Sequence, residues 1–95
     1  MSTYVERLAE ERRLLILRLL DAAPGSSGSA TVLHLALIDE GRDPSLAQVE
    51  ADLAWLAEQG LVTLAGELLP SARITPRGVD VAQGRARVPG VRRHL

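Results

Sequence analysis

The segment Ala51–Leu64, ADLAWLAEQGLVTL, decides how the rest of the chain is read. Leu53 and Leu56 recur at a helical interval, Gly60 is the residue type that ends helices in the left-handed conformation, and LVTL then has the apolar, β-branched composition of a strand. Carried backwards, the same period collects Leu46 and Val49. A helix is therefore predicted from the Gly41–Ser45 turn to about Gln59, with Leu46, Val49, Leu53 and Leu56 inward. Ala47, Gln48, Ala51, Trp55 and Glu58 fall on its outward face, flanked by Asp52, and with Glu50 the helix has three acids and no basic residue.

Before this helix, GRDPS (residues 41–45) reads as a tight turn: Gly41 stops one helix, Asp43 caps the next and Pro44 takes its first position. Ser29 caps the preceding helix, ATVLHLALIDE, with Leu33, Leu37 and Ile38 towards the core and His34 beside them as a partly buried, hydrogen-bonded residue. Two short helices joined this closely form a helix-turn-helix unit. APGSSGS (residues 23–29) reads as a loop, and it cannot be a Walker-type phosphate loop because the chain has no lysine. From Thr3 to Asp21 a first helix places Val5, Leu8, Leu15, Ile16, Leu19 and Leu20 on one face. Leu14 and Leu17 lie on the other side, so the helix needs a second cover, from another helix or another subunit. A homodimer through Leu14 and Leu17 is the expectation.

After the central segment, LVTLA forms a strand, Gly66 and Glu67 a tight turn, and LLPSARIT a returning strand with Ala72 and Ile74 alternating against Arg73. Pro70 marks that strand as an edge. Thr75 and Pro76 cap a short last helix, PRGVDVAQ, stopped by Gly84. RARVPGVRRHL has no consistent period and reads as an extended basic arm. The expected organisation is one domain over residues 1–84 and an arm over 85–95, mainly α with a small β-hairpin, an α+β class.

Composition excludes several functions. Without cysteine there are no disulfides, thiol chemistry or zinc fingers, and the two histidines, His34 and His94, are too far apart in sequence to organise a metal site. No cofactor is expected. There is no lysine and no serine beside a base, so the chain is not read as an enzyme. No apolar run has the length of a membrane span and MSTYVERLAEERR is charged, which predicts a cytoplasmic protein. Charge divides along the chain: residues 1–72 carry five arginines against eleven acids, residues 73–95 six arginines against Asp80 alone. A basic end on an acidic body suggests a nucleic-acid or acidic partner.

The element order, with LAWLAEQGLVTL and ITPRG at the joints, resembles the winged helix-turn-helix domains of small ArsR-like and MarR-like regulators: three helices, a two-stranded wing and a short C-terminal helix. DLAWLAEQGLVT and DVAQGRARVPGVRR more narrowly resemble a small winged helix protein carried by Mu-like phages and prophages. The resemblance implies a dimeric transcriptional regulator that binds double-stranded DNA with its third helix in the major groove. The metal-sensing role of ArsR proteins does not carry over, because the cysteines are missing.

On the DNA reading, Ser45 and Gln48 supply what base readout there is, since glutamine can pair with adenine, while Arg73, Arg77, Arg85, Arg87, Arg92 and Arg93 contact phosphates. The alternative is a protein-interaction or assembly module, a phage late or packaging accessory, on the same fold. Ala47, Ala51 and Trp55 would be its flat apolar spot, with a partner at Trp55. A third outcome for Trp55 is cover by the arm or the first helix.

Overall fold

A computed structural model describes residues 3–68 and 70–94. The elements follow in the order α1 (Tyr4–Ala22), β1 (Ser27–Ser29), α2 (Ala30–Asp39), α3 (Leu46–Glu58), β2 (Val62–Ala65), β3 (Ser71–Ile74) and α4 (Pro76–Ala82). The architecture is α+β, with a three-stranded antiparallel sheet in the order β1-β3-β2. Its order of elements is compatible with a winged helix.

Every α-helix starts at a hydroxyl. Thr3, Ser29, Ser45 and Thr75 accept from the backbone amides of Glu6, Val32, Gln48 and Gly78, satisfying one of the free donors at each helix start. Three helices stop in the same way. Gly41, Gly60 and Gly84 take positive φ, and each pair of amides at 41–42, 60–61 and 84–85 bonds back to the last turn of its helix. The stop after α3 delivers Leu61 into the core at full burial. The cap of α3 is Ser45 rather than Asp43, and Pro44 precedes the helix: Ser45 and Gln48 form a reciprocal capping box that Asp43 does not offer.

The sheet differs from a two-stranded hairpin. Ser27–Ser29, within the predicted loop, pairs with β3 in the register Ser27↔Arg73, Gly28↔Ala72 and Ser29↔Ser71. β3 is thus the central strand, and Pro70 lies just before it, with its carbonyl accepting from Ala30 N at 2.9 Å. The hairpin pairs Ala65 with Ser71, so its connection spans residues 66–70 rather than two residues. Leu69, placed in the returning strand by its sequence, is outside the described residues. Ala72 and Ile74 are buried and Arg73 is exposed, in the alternation expected of them.

The core joins α1, α2, α3 and α4 to one face of the sheet. Ile16, Leu17, Leu20, Leu37, Val49, Leu53, Leu56 and Leu61 are its most buried side chains. Leu14 and Leu17 belong to this core and are not a subunit surface, because α4 packs on α1 and the C-terminal residues Val88 and Val91 join the same cluster. The second cover that α1 needs comes from its own chain. Conversely, Val5 and Leu8 are exposed, Val5 at 73%, since the first turns of α1 run past the elements that bury its centre. Ile38 and Leu46, also assigned inward, are more than a third exposed at the ends of their helices. Nor is the C-terminal segment a free arm: it lies on α1, with Arg92 N donating to Glu10 O at 3.1 Å.

Gly78 is fixed by a close approach. A Cβ there would lie 2.1 Å from the carbonyl oxygen of Leu61 and 2.7 Å from Ile74 Cγ1, while Thr75 N donates to that same Leu61 carbonyl at 3.0 Å. This is why ITPRG and GLVT occur together: the start of α4 is pressed against the entry to β2. Gly78→Ala is expected to cost about 1–3 kcal/mol, since backbone cannot yield as a side chain does. Leu53→Ala should cost about 2–5 kcal/mol by opening a cavity among α-helices. Urea unfolding of both variants measures these losses.

Candidate nucleic-acid interface

The outward side of α3 is not the open surface a reading helix presents. The Gln48 side-chain oxygen accepts from Ser45 N at 2.9 Å, and Ser45 Oγ accepts from Gln48 N at 3.1 Å. Bidentate pairing with adenine needs both the oxygen and the amide nitrogen of glutamine. Gln48 can therefore read a base only by giving up its cap. Asp52 is buried at 3% exposure, where Arg12 grips it through Nε and Nη2, and Arg13 Nε donates to it at 3.3 Å. Besides Leu46 and the cap-bound Gln48, what remains exposed on α3 is Ala47, Glu50, Ala51, Ala54 and Glu58, small side chains between carboxylates.

Trp55 is covered by its own chain, from both directions. The Arg13 guanidinium carbon sits 4.3 Å from the ring centroid, a cation–π arrangement. Residues 88–91, VPGV, form a turn closed by Val91 N donating to Val88 O at 3.1 Å, with proline second and a positive-φ glycine third. Gly90 lies flat on the indole: a Cβ there would be 2.5 Å from Trp55 Cζ2. Arg13 Nη1 also donates to the Gly90 carbonyl at 2.9 Å. Arg13 thus links α1, α3 and the C-terminal segment, and Trp55 is half-buried between them.

This packing brings four arginines to one place. A surface pocket of about 280 Å³ has Leu14 and Leu15 of α1 among its lining, with Arg18, Arg42, Arg92 and Arg93 around it and His94 at its end. Arg18 comes from α1, Arg42 from the glycine-stopped end of α2, and Arg92 and Arg93 from the C-terminal segment. Glu11 is the acid among them. It pairs with Arg42, and its other oxygen lies 3.5 Å from Arg92 Nη1. Among the described residues, Arg18 and Arg93 form no ion pair.

The six arginines of the basic end therefore separate. Arg92 and Arg93 enter the pocket. Arg85 is held by Asp80 at 2.8 Å and by the Gln83 side chain. Arg87 lines a shallow hollow beside Glu10 and Pro89. Arg73 donates to the Gly25 carbonyl at 3.2 Å on the exposed side of β3, and Arg77 is exposed on the first turn of α4. Sequence reasoning missed Arg18 and Arg42 because both lie in the acidic part of the chain, and only tertiary packing joins them to residues 92–93. His34 donates through Nε2 to the Pro44 carbonyl at 2.9 Å, a structural bond that ties α2 to the turn it leads into.

Apolar side chains stay open at the start of α1, where Tyr4, Val5 and Leu8 are exposed, and on two further surfaces. On α2, Val32, Leu35 and Ile38 recur every three residues and all are exposed. In the hairpin, Leu64 is 41% and Leu68 95% exposed, beside Glu67, where a groove-probing loop would carry arginine. No described helix is long and apolar enough to cross a membrane.

The chain is 43% identical over 90 residues, 90% of each chain, to the uncharacterized protein gp26 of Escherichia phage Mu. It is 34% identical over 62 residues to an uncharacterized protein of Haemophilus influenzae, covering 65% of this chain and 60% of that one. No protein-family model matches the chain. No solved structure matches it.

Because Asp52 is buried, its two partners are not equivalent to surface ion pairs. Asp52→Leu removes the charge but leaves Arg12 and Arg13, each about a fifth exposed or less, to regain water. Arg12→Ala with Arg13→Ala leaves the carboxylate buried alone, and should be the worse change, costing about 3–5 kcal/mol. Arg13→Ala alone should also red-shift the fluorescence of Trp55, the single tryptophan, by loosening the Gly90 turn.

Proposed function

The chain belongs, with gp26 of Escherichia phage Mu, to one protein family, and from that premise we propose that it is a phage or prophage DNA-binding protein of winged helix type that holds duplex DNA by its phosphates and does not read its sequence. The observation that carries this reading is the meeting of Arg18, Arg42, Arg92 and Arg93 around one pocket in a chain of net charge −1. Guanidinium forks match phosphate oxygens, and each contact releases counterions. The side of α3 free of α1 carries Glu50 and Glu58, which within a Debye length of about 8 Å oppose phosphate. Ser45 and Gln48 serve the helix cap. Such a protein suits an accessory role on DNA, in packaging or assembly, better than operator recognition.

A second reading, a protein-interaction module, is favoured by the exposed Val32, Leu35 and Ile38 on α2. An apolar stripe of this kind is a surface for association. With Leu14 and Leu17 inside the protomer, the homodimer suggested by α1 is moved to α2. Light scattering should then show a dimer that Val32→Glu with Leu35→Glu converts to monomer without loss of helicity. A monomeric parent protein removes the homodimer from this reading.

For DNA, titration of two unrelated duplexes at several salt concentrations should give equal affinities. The logarithm of the binding constant should fall with the logarithm of salt at a slope near −0.9 per phosphate contact, about −3 to −4 for four arginines. Arg18→Ala or Arg93→Ala should each reduce the slope by about one unit. Gln48→Ala should leave the relative affinities of the two duplexes unchanged. Absence of binding at low salt overturns the reading, and a marked preference for one duplex returns α3 to consideration.

A further inference from the structure

We infer that Glu11 is an internal stand-in for phosphate: it holds Arg42 and Arg92 at the pocket and is displaced when a phosphate group enters, so that the pocket works as a latch. This rests on the reading of the pocket as a phosphate site and adds to it how the site is kept and released.

The geometry of Glu11 carries the inference. Its two oxygens face two arginines from different parts of the chain, one bonded to Arg42 at the α2–α3 turn and the other 3.5 Å from Arg92 in the C-terminal segment. One carboxylate thereby ties α1 to both neighbours. Arg18 and Arg93 line the same pocket and have no ion-pair partner among the described residues. A carboxylate offers two oxygens and one charge. A free phosphate or monoester near neutral pH offers more oxygens and more charge, and a nucleic-acid backbone offers successive phosphates, so either can engage guanidiniums that Glu11 leaves unmatched. The exchange is easy because Glu11 is 30% exposed and Arg42 and Arg92 are 43% and 56% exposed. Ion pairs this open to water are weak, and a released carboxylate is rehydrated where it stands.

Leu14 and Leu15 put apolar surface beside the charges, which excludes water from one side of the bound group and strengthens its contacts. Release of Glu11 breaks the side-chain tie between α1 and the turn before α3. The backbone bond from Arg92 N to Glu10 O is unaffected, so the C-terminal segment stays docked while its arginine turns to the ligand.

The test uses the full chain and inorganic phosphate, followed by backbone amide NMR at constant ionic strength set with sodium chloride. Phosphate should shift the amides of Glu11, Arg42, Arg92 and Arg93 saturably. Glu11→Gln, which keeps the shape and removes the competing charge, should bind phosphate about tenfold more tightly. Arg18→Ala and Arg93→Ala should each weaken it about tenfold, as expected for a charge-assisted hydrogen bond, and Arg87→Ala should leave it unchanged. An unchanged or weaker affinity in Glu11→Gln overturns the latch, as do shifts that chloride alone reproduces. A short duplex added as competitor separates the sources of phosphate. Displacement from the same amides assigns the site to the nucleic-acid backbone; retention of phosphate assigns it to a free phosphate or monoester, in which case the DNA reading fails and the latch stands.

Discussion

The structure turns on a buried carboxylate. Asp52 lies inside the protein, and an ionised group there is tolerated only with charged partners and hydrogen bonds close by. Arg12 and Arg13, adjacent on α1, supply both. They can do so only if α1 lies along the side of α3 that bears Asp52. Once it does, Arg13 is also set over Trp55 and within reach of the Gly90 carbonyl. The C-terminal turn is thereby seated, and Arg92 and Arg93 follow it to the end of the pocket where Arg18 and Arg42 wait. The arginine cluster is thus a consequence of an ion pair that forms no part of it.

That same contact leaves α3 little of the open surface that a DNA-reading helix needs. A helix that enters a groove keeps one side free and supplies donors and acceptors to base edges. Here one side of α3 is core, a second is closed by α1 and the C-terminal turn, and the third carries alanines and glutamates. Closure helps stability, since it half-buries Trp55 and satisfies Asp52, but it removes surface on which sequence specificity would be built. On the proposed reading, affinity for nucleic acid comes from charge placed elsewhere. The pocket beside α1 is such a place.

Much of the fold was legible because it rests on local rules. The leucine period of α3, the glycine stop at Gly60, the Ser29 cap and the Thr75–Pro76 start of α4 are all decided within a few residues. β1 was not legible: Ser27–Ser29 has no apolar alternation, and it is a strand only because β3 has a free edge to pair. The burial of Asp52 was hidden for a related reason, as an acid on a helix wheel looks solvated until its partners, forty residues away, are placed beside it. VPGV did carry a signal, a proline–glycine turn. It was lost in a tail judged by periodicity, which a single turn cannot show.

The candidate site shows the limit of reading charge along a chain. The division into an acidic body and a basic end is a property of sequence order, and fields act through space. Of the six C-terminal arginines only Arg92 and Arg93 reach the pocket, and the acidic body contributes Arg18 and Arg42 as equal members. Arg42 is carried there by the Gly41 stop of α2, whose left-handed turn sets the direction of the next residue. A glycine recognised as punctuation therefore also positions a charged group. Such residues are found by asking where each helix end sends the following side chain, a question that needs the tertiary arrangement and not the composition of a segment.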